Sequence, residues 1–488
     1  LYRFIISTQL TRYLACCLLI TSHIESANIL TFLQLPFSSH IIGFQPLMKE
    51  LAHRGHNVTV VNVPCVTSCF PPISTEHFGY KGNQTGFLTV CTLQDKKFFQ
   101  MPEVQQLIHA EDLAFDLIMF ETFFFHEAFV AFGHKFRAPI INLQPNSNWR
   151  NPYSYSYIPD YRMAATDKMS FWERLTNTLT GDALMRKYFT YPGAEDMPYV
   201  GEMLSNTALT LVDTHVSVSP VRPYAPNVVQ VAGMHLREPK ELPQVYLRFV
   251  ENAEHGVIFF SMGSLVTTAN LPSGILSAIT EVFSKLPQRI LWKWEDDSLK
   301  IPHFNIKILK WFPQQDILAH PNCKLFITHG GIHSLLEAVH FNVPILGVPV
   351  FADQFMNMLL AEERGFGKMI RLEQITVKSL LLAIQDVITN TSYKQKAWEA
   401  GRILNDEPMK AIDRGVFWVE YVLRHKGAPH LRPSAIQLRW HQYLLLDVIL
   451  FLGVVTLITL SCMLIKMQFI HALQTFSSNV VSQDKTRP

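Results

Sequence analysis

Apolar runs of strand length alternate along this chain with stretches of helical periodicity. Residues 29–33 form a short buried strand, and a loop at 34–39 follows. Apolar side chains then recur at Ile41, Phe44, Leu47, Met48 and Leu51, the spacing of a helix with one buried face. Gly55 ends that helix and residues 57–63 resume as strand, which completes a βαβ unit. Residues 115–120 and 139–143 are further strands separated by a helix-length segment. A stretch at 220–243 that holds five prolines reads as the linker to a second α/β unit, where the pattern repeats. Strands are predicted at 256–260, 290–294, 306–309, 324–328 and 344–348, with helices at 272–286 and 332–340. Such alternation predicts parallel sheets with ligands at the carboxyl ends of their strands. The fold class expected is α/β, with two doubly wound Rossmann-like domains facing a cleft.

The two ends read differently. Arg3 and Arg12 precede an apolar run at 13–20, with Ala27 as a small residue for cleavage, so residues 1–27 read as a secretory signal peptide. The competing reading is an ordinary hydrophobic first strand. Residues 443–465 carry one charge, Asp447, and as a helix would span about 35 Å, enough to cross a bilayer. The expected layout is a first domain at 28–237, a second at 238–440, a transmembrane helix at 443–465 and a cytoplasmic tail at 466–488. That layout places both domains in the lumen of the endoplasmic reticulum. Arg424, Lys426, Arg432 and Arg439 before the span, against Lys466 and Lys485 after it, invert the usual charge bias. A large domain already being translocated overrides such flanking charge. Sequons begin at Asn57, Asn83 and Asn390; Asn57 is expected to be buried at a strand start, which leaves the other two as glycan sites.

Composition excludes some classes. The 42 basic and 40 acidic residues give a net charge of +2, which argues against a nucleic-acid surface. The seven cysteines show no metal-ligand spacing, and a disulfide among Cys65, Cys69 and Cys91 has no support beyond proximity. The aromatic stretch at 146–196 suits an apolar substrate mouth or a core of short helices equally well.

Candidate chemistry concentrates between Trp311 and Gln354. A strand runs into His329-Gly330-Gly331 and then a helix, a junction where backbone N–H groups and the helix dipole can meet a phosphate. His329 and Ser334 can add side-chain hydrogen bonds. Glu337, one turn past Ser334, is placed to accept from the hydroxyls of a ribose. Trp311 offers a π surface for a flat base, although a lone Trp is more often core. Asp353 and Gln354 follow a strand and can hold sugar hydroxyls, and Ser264 lies in a turn that can reach a phosphate.

The run from Trp311 to Gln354 resembles the nucleotide-sugar signature of the UDP-glycosyltransferase family, in particular its membrane-bound animal branch. The segment from Leu35 through His40 to His56 is also similar, and the likeness extends over nearly the whole chain. Phe259 to Ser264 and the His-Gly-Gly form lean toward insect-type members. The resemblance implies the two-domain GT-B arrangement, with an acceptor-binding domain at 28–237 and a UDP-sugar-binding domain at 238–440. It implies that Trp311 stacks on uracil and Gln314 contacts the nucleoside. His329, Ser334 and backbone near Gly331 hold the diphosphate, Glu337 the ribose, and Asp353 and Gln354 the sugar. It implies no metal and no cofactor, the UDP-sugar being a co-substrate. The general base falls on His40, where a helix N-terminus also favours a neutral ring; simple helix capping is the other reading of His40. The orienting carboxylate falls on Glu121, with Asp116 as the competitor. The chain departs from the pattern at His333, where Asn is often seen, which puts one diphosphate contact in doubt. It departs again at Asn342 in place of Gly, a residue that tolerates left-handed backbone angles.

The function expected is inverting transfer of a hexosyl group to a hydroxyl of a small lipophilic acceptor, UDP-glucose being the favoured donor and UDP-glucuronate the second. The partners implied are the two substrates, a membrane and a homo-oligomer. The contrasting reading is a non-catalytic lumenal binder of lipophilic ligands on a decayed scaffold. A dehydrogenase is disfavoured because no Gly-x-Gly-x-x-Gly follows a predicted strand.

Overall fold

The computed structural model describes residues 26–33, 38–61, 98–122, 126–145, 185–221, 223–263, 266, 268, 271–295, 303–350 and 353–484. The chain divides into a body that ends at Arg432 and a C-terminal unit that begins at Pro433.

Within the body, the first sheet contains β1 (Asn28–Phe32), β2 (Asn57–Val61), β3 (Leu117–Glu121), β4 (Ile140–Gln144), β5 (Leu209–Val212) and β6 (Val228–Gln230). Their order is β2-β1-β3-β4-β5-β6 and every pairing is parallel. The second sheet contains β7 (Val257–Ser261), β8 (Arg289–Lys293), β9 (Ile306–Leu309), β10 (Cys323–Thr328), β11 (Ile345–Gly347) and β12 (Gly367–Met369). It is also parallel, in the order β12-β11-β10-β7-β8-β9. Each order reverses direction once, between β1 and β3 in one sheet and between β7 and β10 in the other. Crevices open at such points, outside the carboxyl ends of the strands.

Helices cover both faces because parallel strands bury both. In the first sheet, α1 (Ser38–His53) packs on one face through Phe44, Leu47 and Leu51. The opposite face meets α2 (Val130–Phe136) and a cluster of Phe32, Phe98, Phe99, Phe129, Phe132 and Phe189. The rings of Phe32 and Phe132 stack at 4.4 Å. Of the aromatic stretch at 146–196, residues 146–184 lie outside the described set, while Tyr188 and Phe189 join this core. The second sheet is covered on one side by α3 (Ser273–Lys285) and, further along the chain, by α7 (Val377–Thr389). Between those two in sequence come α4 (Gln314–Leu318), α5 (Ile332–His340) and α6 (Gln354–Glu363). The other face holds α5 and α8 (Thr391–Asn405). The chain then returns: α9 (Ala411–Arg424) buries Val416, Val419 and Val422 with α1 against the first sheet. His215, just past β5, is bonded to Glu407 on that return path at 2.9 Å.

Three expectations change. Asn57 is exposed, because β2 is the edge strand of its sheet among the described residues; its amide donates to Asn28 Oδ1 at 2.9 Å. The proline-rich stretch contains β6, so part of it completes the first sheet. The C-terminal apolar helix α10 (Leu446–Asp484) starts three residues later than predicted, after Leu445 takes a φ of 54°. Its segment Leu446–Thr475, which contains an 18-residue stretch of mean hydropathy 2.8 with no part of that stretch buried, is long and apolar enough to cross a membrane. The signal-peptide expectation, and Cys65, Cys69, Cys91 and Asn83, lie outside the described residues.

The turn after α5 behaves as its sequence implies. Asn342 adopts a φ of 60°, and Lys394 donates to its carbonyl at 2.7 Å. Here α8 crosses α5 at Gly401, where an added Cβ would lie 2.5 Å from the Val339 carbonyl oxygen and 2.2 Å from Asn342 Oδ1. Backbone cannot yield at that distance without moving the helix. Gly401→Ala is therefore expected to lower the unfolding free energy by about 1–3 kcal/mol, as overpacked sites do, and a thermal or denaturant melt measures it.

Candidate functional site

The reversal between β7 and β10 gathers most of the second-half candidates. Strand β7 ends at Ser261 and the chain turns at Gly263; strand β10 ends at Thr328 and continues into His329 and the glycine pair before α5. The His329 ring tucks between these two turns. A Cβ on Gly263 would stand 2.5 Å from it and one on Gly331 2.7 Å, so only glycine lets the loops close on the ring. Burial, with the charge of Lys293 beside it, pushes the His329 pKa down to about 4. At neutral pH the ring is uncharged and offers one N–H and one lone pair. Thr328 Oγ1 lies 3.2 Å from its Nδ1. Ser264 lies outside the described residues.

Lys293 went unnoticed in the sequence. It ends β8, is buried, and donates to the Gly263 carbonyl at 2.6 Å, which fixes the turn against His329. Burial lowers its pKa while Glu295, 3.7 Å away, acts in the opposite sense. Its ammonium also stands 5.8 Å from the centre of the Trp311 ring. Trp311 itself is 65% exposed, which removes the core reading and leaves a large indole facing solvent at the rim.

Behind Trp311, α4 carries three side chains that tie the site together. Gln314 Nε2 donates to Glu337 Oε2 and lies 3.5 Å from Ser334 Oγ, which puts Ser334 and Glu337 on one face of α5. Gln315 Nε2 donates to Glu337 Oε1 at 3.0 Å and to the His235 carbonyl at 3.1 Å, while its Oε1 accepts from the Arg237 N–H at 3.0 Å. Asp316 takes a two-pronged ion pair from Arg237 at 2.6 and 2.7 Å. Burial works against the Asp316 charge, and the Arg237 bonds more than offset it, so its pKa falls below the ordinary value. Sequence reasoning found Gln314 and missed Gln315, although the two are adjacent. Glu337 is buried, and desolvation raises its pKa although both glutamine amides favour the charged form.

Asp353 and Gln354 stand at the start of α6, beyond the carboxyl end of β11. Asn357 Nδ2 donates to Asp353 Oδ2 at 2.8 Å and to the Gly330 carbonyl at 3.0 Å, which links this pair to the glycine turn. Gln354 is buried, and its Oε1 accepts from the Val350 N–H at 2.8 Å.

The first sheet supplies the other half. His40 is the third residue of α1, the helix entered from β1 at the reversal point; its ring lies outside the described atoms. Glu121 ends the neighbouring strand β3 and is buried there. Asp116 sits at the opposite, amino end of the sheet, where its Oδ2 accepts from the Asn28 N–H at 2.7 Å. Five residues of strand, about 16 Å, separate it from Glu121, so Asp116 does not share the crevice. His333 turns its Nε2 to Asp213, just past β5, at 2.8 Å. That nitrogen is committed to the first half of the body.

Comparison with known proteins agrees with this arrangement. The family model described as UDP-glucoronosyl and UDP-glucosyl transferase matches residues 136–478. The chain is 36% identical to UDP-glucosyltransferase 2 of Dactylopius coccus over 88% of this chain and 90% of that protein. It is 30% identical to UDP-glucuronosyltransferase 3A1 of Bos taurus over 89% of this chain and 92% of that one. The calicheamicin glycosyltransferase CalG4 shares the two-sheet GT-B fold, with a TM-score of 0.61 at 18% identity, over 82% of this chain and 99% of that structure. The chain belongs to the UDP-glucuronosyl and UDP-glucosyl transferase family and is a UDP-sugar glycosyltransferase.

Proposed function

We propose that this enzyme moves a hexosyl group, glucose by preference and glucuronic acid second, from its UDP-sugar to a hydroxyl of a small lipophilic acceptor, with inversion at the anomeric carbon. The observation that carries the reading is the buried Glu337 carboxylate held between the amides of Gln314 and Gln315, three and four residues past the exposed Trp311 indole, on the helix that the neutral His329 and the glycine pair lead into. In this reading Trp311 stacks on the uracil and Gln314 contacts the nucleoside. Glu337 accepts from the ribose hydroxyls. His329, Ser334, Ser264 and the N–H groups near Gly331 meet the diphosphate at the start of α5. Asp353 and Gln354 hold the sugar. Glucose is favoured by the likeness to a protein named a UDP-glucosyltransferase.

His40 takes the proton of the acceptor hydroxyl as its oxygen attacks the anomeric carbon, and the bond from that carbon to the phosphate oxygen breaks. The proton rests on the imidazole, the electron pair leaves with UDP, and Glu121 stabilises the imidazolium. The reading calls for no metal or cofactor. Helix α10 anchors the enzyme, with the catalytic body in the lumen of the endoplasmic reticulum.

The test incubates the membrane-bound enzyme with several UDP-sugars and phenolic acceptors and follows product and UDP by mass spectrometry. UDP-glucose is expected to give the most product, and His40→Ala to lose turnover while keeping UDP affinity. No product from any pair, with UDP still bound, would favour a sequestering protein. A second measurement addresses the nucleoside site. Glu337→Ala removes the acceptor of two half-buried amides and of the ribose, so UDP affinity by calorimetry should fall about 10- to 100-fold. Unchanged affinity would remove Glu337 from the site.

A further inference from the structure

His333 is the second residue of the donor-site helix α5, two past Gly331, yet its ring crosses to the other half of the body. Nε2 donates to Asp213 Oδ2 at 2.8 Å, and Asp213 is fully buried with its second oxygen accepting from the Gly233 N–H at 3.1 Å. The ring end also presses on α1: a Cβ on Gly43 would lie 2.5 Å from His333 Nε2 and 3.4 Å from Asp213 Oδ2. Gly43 stands three residues, about one turn, beyond His40. One side chain therefore touches the helix that begins at the phosphate turn, the end of β5, and the helix that carries the proposed base.

The electrostatics suit a charged link. Burial disfavours the imidazolium, but the bond and charge of Asp213, with Glu337 and Asp353 behind them, outweigh it and raise the His333 pKa. His235, packed edge-on to His333 with ring centres 4.8 Å apart, is driven by burial and by that neighbour down to about 3. It is neutral and adds no competing charge.

Resting on the transferase reading above, we propose that His333 is a positioning residue: its bond to Asp213 locks the first turn of the donor-site helix against α1 and so sets the gap between the bound sugar and the acceptor. UDP touches only the second half in that reading, so the clasp acts on the transfer step more than on nucleotide binding. A misplacement of about 1 Å between reacting groups can cost on the order of a hundredfold in rate.

The test compares the full-length enzyme with His333→Ala, Asp213→Asn, the double variant Asp213→Asn/His333→Asn, and Gly43→Ala. Steady-state kinetics gives kcat, calorimetry gives UDP affinity, and a melt confirms folding. Both single variants are expected to lose about 10- to 100-fold in kcat, with UDP affinity changed by about twofold or less. The double variant, whose two amides can form a neutral hydrogen bond, should recover most of the loss. Gly43→Ala keeps both charges and displaces the ring, so it should lose kcat in the same way; it carries the test if a single variant does not fold. Unchanged kcat in the folded variants, or UDP affinity falling in step with kcat, overturns the proposal. Asp213, His235 and His333 also bring three ligand atoms within 4.8 Å of one another. If EDTA dialysis lowers wild-type kcat and Zn2+ restores it, with the double variant unaffected, the junction is a metal centre and the clasp account fails. A wild type that transfers no sugar sinks the transferase reading itself, whereas an active wild type with indifferent variants sinks only the clasp.

Discussion

The carboxylate of Glu337 is buried, and a buried charge stands only where donors surround it. Gln314 and Gln315 supply those donors, and Gln315 in turn holds the His235 carbonyl and the Arg237 N–H. Arg237 closes the loop on Asp316. The chain between the two sheets, the short helix α4 and the donor-site helix α5 are thus fixed by one polar network. Networks of this kind specify a single arrangement because a half-satisfied one would be worse than an apolar core. Trp311 needs no network of its own: it stands three residues before Gln314, and its indole is left open to solvent while the backbone beneath it is held.

Topology does the rest. Each sheet changes direction once, and the two reversal points receive the two halves of the proposed chemistry. The β1–β3 reversal brings the start of α1 and Glu121 together, and the β7–β10 reversal brings Gly263, His329 and α5 together. Two nearly independent cores could still drift apart, and the chain counters this by returning α9 to the first sheet and by bonding His215 to Glu407 and His333 to Asp213. The proposed transfer needs that registry, since in it donor and acceptor occupy different halves.

Much of this was legible because long apolar runs announce central strands and because the donor-site residues follow them at fixed offsets. Strands β7 to β11 and helix α5 fall within a few residues of where the pattern puts them, and Asn342 adopts the left-handed turn its side chain allows. Strands β5, β6 and β12 were not read from the pattern: β6 lies inside the proline-rich stretch, and β12 has one apolar side chain, Met369. Asn57 was misjudged because being at an edge is a property of strand order, which the sequence does not display. Lys293, Gln315 and Asp213 escaped for a related reason: their roles depend on which distant turn lies beside them. Sequence spacing can place Ser334 and Glu337 on one helix face, but it cannot reveal that His333, just before them, bonds to Asp213 past the end of β5.

The central claim is that the second half alone grips the nucleotide. Amide hydrogen exchange of the full-length enzyme with and without UDP tests it most directly. The account predicts slowed exchange in the segments around 311–316, 329–337 and 353–357, with the carboxyl ends of β1 and β3 unchanged. Protection centred on the first sheet, or none in those three segments at saturating UDP, would contradict it.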